Sequence, residues 1–177
     1  MMRKTLLVVA VMLLSLGAYA DDNSEKTVAF KAEFIVHLLD NVEWSKAEQH
    51  EDTDNITIYV VGECPVNGKL EEYASKESKD GKTIEVKVVS SADSISEADI
   101  VFVASDDLGT LAKVLKKVKG THALTVSDAK DFARYGVMIN FLQEEGSDKV
   151  KLEVNKIVLD NAGAKLNSKI LEKAVLI

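Results

Sequence analysis

Four kinds of side chain in this sequence could carry chemistry: one cysteine, three histidines, adjacent pairs of acids and a small set of aromatics. Cys64 sits in the turn Gly62-Glu63-Cys64-Pro65, directly after a β-branched run. As a lone thiol it cannot form an internal disulfide, so it reads as a small half-buried core residue or as a redox or intermolecular thiol. A pairing with a histidine for nucleophilic work needs only closeness in space, but Pro65 beside it and the lack of an oxyanion motif make that the weakest option. His37 lies four residues after Glu33, which could begin a metal site on one helical face, yet nothing completes it. His50 stands among acids and His122 opens an apolar run. The pairs Asp106-Asp107 and Glu144-Glu145 read as a helix start and a hairpin loop. The turn after the first strand lacks the glycines that let a backbone approach phosphate, and Glu63 would repel one. The sequence carries no G-x-S-x-G, H-E-x-x-H, Walker or G-x-G-x-x-G motif. No cofactor and no metal are expected, and no catalytic residue stands out.

The aromatics are more informative. Trp44 follows an apolar helix-like stretch and precedes a polar one, while Phe132, Tyr135 and Phe141 cluster around Gly136. They are either core or, where exposed, anchors of an interface. Trp44, Phe132, Tyr135 and Phe141 are therefore the candidate partner-binding residues.

The elements that must position them follow from periodicity. Residues 28–42 repeat apolar side chains at helical spacing, with Phe30, Phe34, Leu38 and Val42 in one row and Ile35 and Leu39 beside it. Residues 45–55 read as a polar loop. Residues 56–62 form a short β-branched strand, 67–76 a helix with Leu70, Tyr73 and Ala74 on one face, and Asp80-Gly81 a turn. Residues 83–89 alternate Ile84, Val86 and Val88 with polar partners, the mark of a half-buried strand. Residues 98–104 are apolar on both faces, as in a covered parallel sheet. Asp106 or Asp107 caps a helix with Leu108, Leu111, Ala112, Leu115 and Val118 in its stripe. Lys116, Lys117 and Lys119 suit the negative end of its dipole, and Gly120 stops it. A strand at 122–126 leads to a helical turn through Phe132 and Tyr135, capped by Ser127 or Asp128. Residues 137–143 and 149–154 read as a β-hairpin, and 155–161 and 168–175 as terminal helices. The implied fold is α/β: a largely parallel sheet flanked by helices, an antiparallel hairpin at one edge, and C-terminal helices.

The start of the chain is of another kind. Arg3 and Lys4 precede an apolar run from Leu6 to Leu16, which ends in Ala18-Tyr19-Ala20 and the polar Asp21-Asp22-Asn23-Ser24. Charged, apolar, small and then polar is the order of a cleaved export signal. We expect residues 1–20 to be removed and residues 21–177 to form one soluble domain outside the cytoplasm. The chain has a net charge of −7, and residues 1–20 hold two basic and no acidic side chains, so the mature part is more acidic still. Nucleic acid and anionic membrane surfaces are poor partners for such a surface.

Several stretches, taken in order, resemble one family. The first helix with Val42-Glu43-Trp44 is similar to the F-x-x-F-V-E-W-P opening of the YfiR-like periplasmic proteins. The strands at 56–62 and 98–103 resemble that family's I-x-V-x-G and C-x-I-L-F-I. Leu124-Thr125-Val126-Ser127-Asp128, then Phe132-Ala133 and Gly136-Val137-Met138-Ile139-Asn140-Phe141, resemble L-T-V-S-D-x-x-x-F-x-x-x-G-G-M-I-x-F. Residues 151–155 and 166–174 resemble F-x-I-N and I-S-S-K-L-L-x-L-A. The resemblance implies an α/β fold and a regulator, not an enzyme. Such a regulator binds the periplasmic domain of an inner-membrane sensor or diguanylate cyclase, keeps it inactive, and so holds cyclic-di-GMP and biofilm formation low. An outer-membrane-associated lipoprotein is an implied second partner, and a homodimer a further possibility. Three positions depart from the pattern: Ala98 for the family's cysteine, Ser45 for proline and Val137 for the second glycine. The first removes a disulfide, and redox sensing through it, from this chain. Rival readings are a small-molecule binding protein with its pocket at the carboxyl ends of the parallel strands, and an envelope enzyme using Cys64.

Overall fold

The computed structural model describes residues 24–44, 55–144 and 147–177. The expected export signal, His50, Glu145 and the departure at Ser45 lie outside these residues. The described chain runs α1 (Glu25–Asn41), β1 (Val42–Trp44), β2 (Asn55–Val61), α2 (Val66–Ala74), β3 (Ser78–Lys79), β4 (Lys82–Val89), β5 (Ile100–Val103), α3 (Leu108–Val118), β6 (Leu124–Ser127), β7 (Ile139–Gln143), β8 (Val150–Val154), α4 (Lys156–Asn161), β9 (Ala164–Leu166), α5 (Ser168–Leu171) and β10 (Val175–Leu176).

Eight strands form one sheet in the order β10-β8-β7-β6-β5-β2-β4-β3. The centre is parallel: β4, β2, β5, β6 and β7 run the same way. The expected hairpin is β7–β8, antiparallel, and β10 adds a parallel pair beyond it. Both β5 and β6 are buried along their full length, as strands covered on both faces must be. One core lies on the α1 and α2 face, around Ile35, Leu38, Leu70, Phe102 and Phe141. The other lies under α3, around Tyr59, Val101, Leu111, Val114 and Phe132.

Several expectations shift on this frame. Helix α1 begins earlier, at Glu25, because the Ser24 hydroxyl accepts the Thr27 N–H and caps it. Its buried face is Val28, Lys31, Ala32, Ile35 and Leu38; of the expected row, Leu38 is buried and Phe34 and Val42 pack against the core, while Phe30 turns toward solvent. In α3 the buried stripe is Leu111, Val114 and Val118, while Leu108 and Ala112 are exposed. In β4, Val88 is exposed and the Lys87 ammonium lies 5.9 Å from the Tyr59 ring centre. The helical turn expected after β6 is a run of turns over residues 130–136, with the Tyr135 N–H bonded to the Asp131 carbonyl. The last expected helix is only α5, and its end becomes β10, paired in parallel with β8. Residues 42–44 are not the end of a helix but a strand, antiparallel to β9 with Val42 opposite Leu166 and Trp44 opposite Ala164.

Candidate functional site

The parallel strands β2, β5 and β6 end on one side of the sheet, and the chain leaves each of them through a polar turn. At the end of β2 Gly62 holds φ +109°, a left-handed conformation that glycine adopts without penalty. A Cβ there would stand 2.4 Å from the Ala104 carbonyl oxygen. Only glycine lets the turn carrying Cys64 pass so close to the chain leaving β5. These turns enclose a crevice of about 890 Å³, lined among others by Lys31, Cys64, Ser105, Asp128, Phe141 and Gln143. In open α/β sheets, the crevice outside the carboxyl ends of the strands is where ligands bind.

Lys31 is the unusual member. It comes from the buried face of α1, is 5% exposed, and donates a hydrogen bond from Nζ to Asp128 Oδ2 at 2.8 Å. Burying an ammonium is costly unless an anion meets it. Asp128, the first residue after β6, supplies that anion and ties α1 to the turn segment 128–136. The Cys64 thiol donates to Asn67 Oδ1 at 3.1 Å. Burial pushes its pKa up, and the Asp128 carboxylate reinforces this. The N–H groups of Val66 and Asn67 and the Lys31 ammonium pull the other way. A raised thiol is the reverse of what a nucleophilic cysteine needs. Glu33 and His37 are both exposed on α1, and no group of three His, Cys, Asp or Glu that could hold a metal ion occurs among the described residues.

The four aromatics chosen from the sequence fall in different places. Phe132 and Phe141 are each 2% exposed, Phe132 in the core under α3 and Phe141 in the core under α1. Phe132 lies on the turn segment packed beneath α3, and Phe141 lies in β7 of the sheet itself, under Phe30 and Phe34. Tyr135, 55% exposed, stands at the tip of the turn segment. That segment is fixed from beneath. Asn140 Nδ2 donates to the Ala129 carbonyl, Asn155 Nδ2 donates to the Ala133 carbonyl at 2.8 Å, and the Ala129 N–H donates to Ser127 Oγ. Trp44 is half-buried at the opposite end of the sheet. Its ring meets His122 edge-on at 6.1 Å, and His122 Nε2 lies 3.7 Å from Asp99 Oδ1.

Two residues of the expected apolar row of α1, exposed Phe30 and half-buried Phe34, form a surface feature. Phe30 is 41% exposed and stacks on Phe34 at 5.8 Å, and both rings rest against the buried Phe141 at 6.5 and 5.9 Å. Phe30 and Phe34 thus present a rigid aromatic ridge on α1, one turn from Lys31. No local signal marks it: the burial of Lys31, which goes with the outward turn of Phe30, depends on Asp128, ninety-seven residues away. Among the described residues no helix is long and apolar enough to cross a membrane.

Comparison with known proteins agrees with this architecture. An ABC domain from Streptococcus pneumonia, solved in complex with L-Trp, superposes with a TM-score of 0.57 at 16% identity, covering 85% of this chain and 60% of that one. A conserved domain protein from Vibrio cholerae O1 biovar El Tor superposes with a TM-score of 0.51 at 13% identity, covering 84% of this chain and 59% of that one. This chain therefore spans about three fifths of the length of either structure, and at such identities the likeness is one of fold. No curated protein matches it in sequence. A family model described as YfiR/HmsC-like matches residues 28–175, from α1 to the first residue of β10, and the chain belongs to that family.

Proposed function

We propose that this protein is a periplasmic regulator that binds the external domain of an inner-membrane diguanylate cyclase-type sensor and holds it in its inactive state. The observation that carries the reading is membership of the YfiR/HmsC-like family across nearly all of the described chain. On this reading residues 1–20 are the export signal, residues 21–177 are one domain, and the chain is not an enzyme. The mechanism is a population shift: the regulator binds one state of the sensor better than the other. Phe30 and Tyr135 are the exposed anchors, with half-buried Trp44 at a separate edge, while Phe132 and Phe141 support the surface from beneath. A lipoprotein of the outer membrane that sequesters the regulator, and self-association into a dimer, belong to the same proposal. The test is cyclase output from membranes carrying the sensor, measured as cyclic-di-GMP formed with and without the purified protein. Output should fall when the protein is added, and Phe30→Ala or Tyr135→Ala should weaken the effect about tenfold or more. An output indifferent to the protein would sink the proposal.

A second reading, small-molecule binding, is favoured by the buried Lys31–Asp128 pair in the crevice. A structure of similar fold holds L-Trp. This reading expects an amino acid to raise the melting temperature of the protein and Lys31→Met to abolish that rise. A panel of amino acids that leaves the melting temperature unmoved would dismiss it.

A further inference from the structure

The opposite end of the sheet carries a second cavity, which shares no lining residue with the Lys31 crevice. The link from β6 to β7 is a run of turns, so no helix fills the space between the last turn of α3 and α4. What remains is a groove of about 490 Å³ beside Gly136, with walls formed by Leu115 and Val118 of α3, Met138, Val158 of α4 and Ala162 just after it, and with Thr121, Thr125 and Asn161 as its uncharged polar points. This volume lies within the range of about 300–1,000 Å³ typical of small-molecule sites, which are mostly apolar with few polar groups. Gly136, at φ +112°, would place an added Cβ 3.3 Å from Leu115 Cδ1, so a side chain there would crowd the wall. The rim has one charged residue, Lys119, where α3 ends. Lys116 and Lys117 in the same last turn are exposed, and none of the three lysines makes an ion pair among the described residues. On a chain of net charge −7, this is a local basic rim on an apolar slot.

We infer that this groove binds the acyl chain of a free fatty acid, its carboxylate held at the rim by Lys119. The apolar walls accept the chain and exclude a charged head, and the lysine sets the orientation. An amine has no matching anion in the lining. The site lies away from the Lys31 crevice and the Phe30 ridge, so it stands or falls independently of the regulatory reading.

The test is calorimetric titration of the purified protein with decanoate below its micelle threshold, with decanol as the neutral control. Decanoate should bind at one site, and decanol more weakly. Lys119→Gln should weaken decanoate about three- to fivefold, as expected for a partly exposed ion pair, and leave decanol unchanged. Val158→Trp, which fills the groove, should abolish both. Should Val158→Trp fail to melt cooperatively, Ala162→Leu serves the same purpose. No binding by the wild type, equal binding of decanoate and decanol, or full binding by the filled variant each overturns the inference. So does a filled variant that keeps decanoate binding but loses a protein partner, which would make the groove a docking surface instead.

Discussion

Removing Asp128 should hurt this protein far more than removing the lysine it faces. Lys31 and Asp128 meet at 2.8 Å, with side-chain exposures of 7% and 27%. Asp128→Ala leaves a nearly buried ammonium without its anion, a change that costs about 3–5 kcal/mol in closed interiors. Here the crevice admits water on the aspartate side, where the side chain is 27% exposed, which places the expected loss at about 2–3 kcal/mol. Lys31→Met removes the buried charge and keeps a side chain of similar length, while Asp128 turns to solvent, so the loss should stay within about 1 kcal/mol. The double variant should resemble Lys31→Met, since there is then no stranded charge. For a domain of this size each kcal/mol is worth about 2–4 °C in Tm. Asp128→Ala should melt roughly 6–10 °C below wild type, and the other two variants within about 4 °C of it. Thermal melts followed by circular dichroism, with urea titrations to confirm an unchanged m value, make the comparison. Equal losses for Asp128→Ala and Lys31→Met would refute the asymmetry. A loss below about 1 kcal/mol for Asp128→Ala would mean that the pair behaves as a surface ion pair in a flooded crevice.

Other outcomes follow from the same geometry. Gly62→Ala should cost at least about 1–3 kcal/mol from its left-handed backbone alone, plus the clash with the Ala104 carbonyl, read as a lower urea midpoint. Phe132→Ala should lose about 3–5 kcal/mol by leaving a cavity under α3, while Tyr135→Ala should stay within about 0.5 kcal/mol, and equal values for the two would contradict their placement. The Asp107 carboxylate accepts the Thr110 N–H and hydroxyl, and these bonds hold its pKa below the usual carboxylate value. Its contribution to stability is therefore complete above the unfolded pKa and lost as pH falls through the lower folded one. Wild type should lose stability in that acidic window by more than Asp107→Asn does, as measured by denaturation at stepped pH. Because burial raises the Cys64 thiol, iodoacetamide should alkylate it more slowly in the native protein than in urea at pH 8, and equal rates would show an exposed thiolate.

The sequence was most legible where one local signal had no rival. Strands β2, β5 and β6 are short and rich in β-branched residues, and they became the centre of the parallel sheet. The cap at Asp107 and the stop at Gly120 set α3 within a residue or two. Errors arose where tertiary contacts decide between phases of one pattern. In α1 two rows compete for the core, and the pull of Asp128 on Lys31 helps bury the row without Phe30. Such a contact spans ninety-seven residues and leaves no local trace. Strands β1 and β9 are three residues each and exist through their pairing, so neither shows as a periodic run. The Phe30 ridge was hidden for the same reason: a phenylalanine four residues from another reads as core until the opposite face is known to be full.

The pairing of β1 with β9 also governs the order of assembly. Strand β1 follows directly from the first helix, and β9 forms almost at the end of the described chain. The Asn167 N–H donates to the Asn41 carbonyl and closes the same junction. A chain that appears from its N-terminus onward makes α1 first but cannot lock the end of that helix until the final segment arrives. Closing so long a loop is entropically costly, and little local structure repays it early. Until then the apolar face of α1 has only part of its cover, and the half-made chain remains open to whatever holds unfolded proteins. The small sheet thus works as a completion latch: a chain cut short before residue 164 could keep most of its main sheet and still leave its first helix unfastened.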